Sequence, residues 1–162
     1  MQKYKRLIIF VNLIIVIGLF TKSIVQKENI LKKGKLILLE LAPVDPRSLI
    51  QGDYMDLRYK LAGEVPYENL KKRGFFLVSI DSENVGKSIR IADGNSKIEA
   101  NEYRVRYNVG NHRIRIGAES YFFQEGDADK YAKAKYGGLR VDSKGHSVLE
   151  GLYDKERARI NP

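Results

Sequence analysis

The feature that most restricts this chain is LIIFVNLIIVIGLF, Leu7 to Phe20, a run without a single charge. Lys3, Lys5 and Arg6 precede it, and Lys22 follows. A segment apolar on every face has no side to turn to water, which disfavours a helix packed on a soluble core. Basic residues and then an apolar run form the layout of a secretory leader. The stretch TKSIVQKE after Phe20 offers no small-residue cleavage pattern of the A-x-A kind. The sequence therefore predicts an uncleaved signal-anchor over residues 1–25 rather than a removed peptide. Fourteen residues are short for a span, which usually takes ~20. Extension to Val25 gives roughly 19, with Lys22 snorkelling to the interface. The bases ahead of the span predict a cytoplasmic N-terminus and a C-terminal domain on the other side.

Residues 26–34, QKENILKKG, continue the helix as a short stalk, and Gly34 is a natural stop. Residues 35–162 are long enough for one domain with its own core. The whole chain is 43% hydrophobic and 30% charged, a globular balance. It has no cysteine, which excludes a disulfide scaffold, a thiolate metal site and a thiol nucleophile. The net charge is +9, and the first 25 residues hold four bases and no acid. The remaining 25 bases and 20 acids leave a mild excess that permits anionic partners without demanding them.

From Lys35 onward the hydrophobic period is mostly two. KLILLELAP, YMDLRYKL, RGFFLVSI and KSIRIA read as four strands, the last closed by DGN. EYRVRYNVGNHRIRIGAE reads as a hairpin turning at Gly110-Asn111, so that Val109 faces His112, Tyr107 faces Ile114 and Val105 faces Ile116. Arg104, Arg106, Arg113 and Arg115 then share the opposite face. ESYFF is another strand. DADKYAKAKYGG predicts a short helix with acids first, lysines late and Gly137 at its end. GLRVDSKGHSVLEGLY is a final hairpin turning at DSKG, and DKERARINP reads as a solvated tail. The expected class is α+β: a mostly antiparallel sheet or small barrel-like domain with one short helix, behind a transmembrane helix.

The stretch GDYMDLRY, Gly52 to Tyr59, holds the second of these strands. As a strand it sends Asp53, Met55, Leu57 and Tyr59 one way and Tyr54, Asp56, Arg58 and Lys60 the other. Gly52 frees the turn into the strand, and the Asp53 side chain suits its amides. A structural corner follows from the residues alone. A phosphate loop does not, because the Gly-Lys-Ser/Thr ending before a helix is missing. The eight residues match the pattern G-D-Y-x-x-L-x-Y in full. On that motif the chain resembles the GDYxxLxY family of bacterial membrane-anchored proteins. APVDPRSLIQ before the motif, YFFQEGDADKYAKAKYGGLRV and VLEGL resemble the family's flanking and C-terminal segments, so that the likeness covers residues 36–153. The resemblance implies an N-terminal span in the bacterial inner membrane and a β-rich domain outside it. It also implies a complex with a multi-spanning membrane protein. Gly52, Asp53, Tyr54, Leu57 and Tyr59 would then form either a packing corner or a docking surface.

A second likeness is to type I signal peptidases, which share the anchor and the external β domain. SLIQGD is similar to the end of their nucleophile motif, and YFFQEGD to their Gly-Asp box with one extra residue. The position of the nucleophile, eight before Gly52, holds Val44, and Ser48 falls where a threonine belongs. A Ser-Lys mechanism needs a hydroxyl beside a desolvated lysine, and no lysine pairs with Ser48 on sequence grounds. The chain is thus expected not to be an enzyme, with a membrane-tethered hydrolase as the alternative.

The arginine face is the other binding signal. Arg106 opposite Arg115 would be destabilising, which calls for an acidic neighbour, for solvation, or for an anionic lipid headgroup or envelope polymer. Nucleic acid is not expected outside the inner membrane, and Tyr103 and Tyr107 suit the core better than base stacking. Glu125, Asp127 and Asp129 suit a helix N-terminus and lack a calcium-loop pattern. His112 and His146 read as solvated turn histidines, without partners at metal spacing. No cofactor or metal motif is read. The sequence thus predicts an accessory or interaction subunit that works with an integral membrane partner.

Overall fold

The computed structural model describes residues 2–42, 54–66, 70–92, 96–110, 113–124 and 126–161. Anchor and stalk form one unbroken helix, α1, Gln2–Lys33. Its described side chains are exposed from Tyr4 to Asn29, and Ile30 is the first to be buried. By length and composition α1 is able to cross a membrane. It ends where expected, with the Gly34 amide bonded to the Ile30 carbonyl at 2.8 Å. A Cβ at Gly34 would lie 2.5 Å from that carbonyl oxygen and 3.0 Å from the Val141 amide nitrogen. Only glycine lets the chain turn this tightly against its neighbour.

The domain consists of antiparallel sheets. β1 (Lys35–Glu40), β8 (Tyr136–Val141) and β9 (Ser147–Tyr153) form one, in the order β1-β8-β9. β3 (Arg73–Ile80), β4 (Gly86–Ala92), β5 (Glu102–Gly110) and β6 (Arg113–Arg115) form the second, in the order β4-β3-β5-β6. β2 (Tyr54–Asp56) and β7 (Ser120–Phe122) make a third, small one. A parallel bridge, Leu38 to Val85, and an antiparallel one, Leu41 to Tyr59, tie β1 to its surroundings. The helices α2 (Lys60–Gly63) and α3 (Ala128–Tyr131) are single turns.

The main core gathers Ile37, Leu57, Phe76, Tyr131, Leu139 and Leu152, all 2% exposed or less. The near-continuous apolar run of β1 has a simple cause. Ile37 and Leu39 enter this core, while Leu38 joins Val85 and Tyr153 on the other face. A strand covered on both sides loses its polar alternation.

Four expectations need correction. The strand at the motif is only three residues long. The Leu57 amide still bonds the Glu119 carbonyl beside β7, but at Arg58 the chain changes partners, its carbonyl accepting from the Ala42 amide. No single ladder persists, and α2 follows. The helix expected to end at Gly137 stops after one turn, because Gly137 belongs to β8, between Leu39 and Leu152. The central hairpin is paired two residues further along. Val109 faces Ile114 and Asn108 faces Arg115, while Arg106 faces Phe75 of β3. Asn111 and His112 lie outside the described residues. This register removes the Arg106–Arg115 clash and still keeps the arginines on one face. The tail is not simply solvated. Arg159 bridges to Tyr153, and the Ile160 amide bonds the Leu152 carbonyl at 2.9 Å.

Candidate functional site

The β3–β5 register sets Arg73 beside Asn108, and the β5–β6 register sets Asn108 beside Arg115. Strands lie ~4.8 Å apart, so the two arginines stand about 10 Å apart at Cα with a neutral amide between them. Arg106, two residues before Asn108, projects from the same face. β6 has run out at this level, and the turn between β8 and β9 takes its place. The Arg106 amide donates to the Gly145 carbonyl at 2.8 Å, and the Ser147 hydroxyl donates to the Ile116 carbonyl at 2.5 Å. These bonds bring His146 against the arginines. The result is a cleft of about 530 Å³ lined by Arg73, Arg106, Asn108, Arg115, Glu119 and His146.

Asp142 shapes that turn. One carboxylate oxygen accepts from the Lys144 and His146 amides at 2.9 and 2.8 Å. The other pairs with His146 Nδ1 at 2.9 Å. Burial raises the Asp142 carboxyl's pKa, but the hydrogen bonds from His146 and Lys144 outweigh it and hold the pKa below the usual value. His146 is thus a half-buried, oriented ring and not the solvated turn residue expected, with Nδ1 committed to Asp142.

The arginines of this cleft differ from five others in the domain. Arg90, Arg113, Arg140, Arg157 and Arg159 each pair with a carboxylate. Arg73, Arg106 and Arg115 have no carboxylate partner among the described residues. Among the described residues, the carboxylate lining the cleft is Glu119, which accepts from the Ile116 and Gly117 amides. Arg104 and Arg106 both lie over the Phe75 ring, with guanidinium carbons 5.2 and 5.4 Å from its centroid. Arg104 is spent on packing, and its Nε is buried without a partner. Arg113 is also spent. It forks onto Asp56 at 2.7 and 2.9 Å and donates to the Leu57 carbonyl at 3.3 Å.

Of the four arginines singled out by sequence, Arg106 and Arg115 therefore line the cleft, while Arg104 and Arg113 do not. Arg73 and His146 were missed. Their local signal is weak. Arg73 merely opens a strand, and only the pairing of distant strands shows where it goes.

The described half of the motif points inward. Leu57 and Tyr59 are 2% and 4% exposed. The Tyr59 hydroxyl donates to the Ala118 carbonyl, and its ring packs against Gly137. Burial first, and then the Glu119 charge, push the Tyr59 phenol's pKa far above its ordinary value, so it stays protonated. Both residues are packing elements and present no docking surface. Gly52 and Asp53 lie outside the described residues, as do the Tyr54 side chain, Val44 and Ser48. Among the described residues, no three His, Asp or Glu side chains gather to hold a metal.

A second concavity, a groove of about 740 Å³, runs beside the end of α1. Val25, Ile30, Tyr103 and Val141 line it, with Lys22 and Lys33 alongside.

A long apolar N-terminal helix fused to an antiparallel β domain defines the class. A family profile described as GDYXXLXY protein matches residues 16–152, and the chain belongs to that family. The match begins inside α1, twenty residues before the first strand's second position, so the second half of the helix is part of the family pattern. No curated protein and no solved structure matches.

Proposed function

We propose that this protein is a single-pass accessory subunit of the bacterial inner membrane, with its N-terminus in the cytoplasm and its β domain outside, working beside an integral membrane partner. One observation carries the reading: an uncovered apolar helix that enters the domain through a single glycine. Nineteen apolar-run residues at 1.5 Å each span about 28 Å, close to the ~30 Å hydrocarbon core. The last two turns add about 12 Å, which crosses the headgroup layer. The domain then sits on the membrane surface and reaches only what lies beside its own span. The groove along α1 is open to a neighbouring membrane helix and continues onto the domain. The inward-facing Leu57 and Tyr59 favour a motif that builds the domain over one that performs chemistry.

The test is crosslinking in intact cells followed by affinity capture and mass spectrometry, with a second chain in which residues 2–25 are replaced by an unrelated span. Recovery of one multi-spanning protein by the native chain, reduced by the replacement, is the expected result. Recovery of this chain alone, across several detergents, would refute the reading.

A further inference from the structure

We propose that the cleft between β3, β5, β6 and the β8–β9 turn is a binding site for a phosphoryl group. Its centre is the row Arg73–Asn108–Arg115, with Arg106 and His146 closing one side. The guanidinium is a rigid, permanently charged fork that matches the oxygens of a phosphate two at a time. Three such forks face one cleft, and among the described residues no carboxylate is paired to any of them. Glu119 subtracts one charge, and its oxygens are taken by backbone amides. Like charges on neighbouring strands repel. Asn108 between Arg73 and Arg115 keeps them apart, and an anion seated above Asn108 turns the repulsion into attraction.

Arg73, Arg106, Asn108 and Arg115 are exposed, and two features order what surrounds them. Phe75 holds the Arg106 guanidinium against its ring, which limits how far the side chain can swing into solvent. The Asp142 carboxylate fixes His146 through Nδ1 and both nearby amides, so the ring is oriented before any ligand arrives. The Cα atoms of Arg73 and Arg115 stand about 10 Å apart, which leaves room for an anion larger than a carboxylate between the two side chains. That room suits a diphosphate, or a phosphate that carries a further group. Two sources share this chemistry: a phospholipid headgroup and a soluble or polymeric phosphate. The cleft begins three residues along β5 from Tyr103, which lines the groove at the end of α1, or about 10 Å away.

The site does not depend on the accessory reading, and the two can fail separately. The experiment uses the full chain in nanodiscs of phosphatidylcholine, titrated with inorganic pyrophosphate by calorimetry at low salt. Binding is expected, weakening as salt rises. Arg73→Gln with Arg115→Gln should reduce affinity at least tenfold. Arg58→Gln with Lys133→Gln, an equal loss of two charges at exposed residues outside the cleft, should change it less than twofold. Circular dichroism melts confirm that each variant is folded. Repetition in discs containing phosphatidylglycerol decides the source: competition means a headgroup, and unchanged binding means a soluble phosphate. No binding of pyrophosphate in either disc overturns the proposal, as does an equal loss in the cleft double variant and in the Arg58→Gln, Lys133→Gln control. Partner capture by the double variant, scored in the crosslinking assay, stays at the native level.

Discussion

The ring of Tyr59 occupies the space that a side chain at Gly137 would need. A Cβ there would stand 2.9 Å from the Tyr59 Cε1 atom. The last residue of the family motif is thus fitted to a glycine almost eighty positions away, and its hydroxyl satisfies the buried Ala118 carbonyl. Gly137→Ala should force the ring aside and cost about 1–3 kcal/mol. Tyr59→Phe keeps the ring but orphans the carbonyl, also costing about 1–3 kcal/mol. Thermal unfolding of the full chain in detergent checks both, with lowered midpoints and native spectra before the transition.

Asp56 and Arg113 form a two-pronged pair between β2 and β6, but the Asp56 side chain is 43% exposed. Solvent screening keeps such a pair weak. A double-mutant cycle with Asp56→Asn and Arg113→Gln should give a coupling of about 1 kcal/mol or less. A coupling several times larger would show that water is kept from this pair.

Glu102 predicts an acid-sensitive link. Arg90 grips its carboxylate at 2.7 Å through two nitrogens, and the Glu99 amide adds a third bond. The Arg90 hydrogen bonds first, then the Glu99 amide, pull the Glu102 pKa down to about 2. A depressed carboxyl stabilises the fold fully above its unfolded value. That contribution fades as pH falls from about 4.5 toward 2. Glu102→Gln should lose stability near neutrality and show a flatter decline over this window. Urea midpoints measured from pH 6 to pH 2 read the difference.

Asp142→Ala removes every bond that orders the β8–β9 turn through that side chain. The Lys144 and His146 amides should exchange with deuterium faster, by an amount equal to about 1–2 kcal/mol of lost local protection. Exchange in β1 should stay unchanged.

Strand by strand, the sequence showed much of this fold. RGFFLVSI is β3 to the residue, because its apolar run is bounded by Arg-Gly and Asp. The helix stop at Gly34 was legible for the same local reason. What failed depended on partners far along the chain. Gly137 carries a helix-ending signature, yet two strands and a tyrosine ring claim it. The hairpin pairing slipped by two because alternation fixes the face and not the offset. The cleft was half visible. Arg106 and Arg115 stand out by alternation, but Arg73 and His146 join them through three separate long-range pairings. Nothing in RGFF or KGHS announces that.

Gly34 is the sole residue between a helix of about 48 Å and the first strand. It leaves no slack, since the turn is already in contact with Ile30 and Val141. Helix tilt in a bilayer is set by the helices packed alongside. Here such a neighbour would also steer the domain like a rudder on a fixed shaft. In a membrane, whatever leaned on that helix would decide which face of the β domain looked outward.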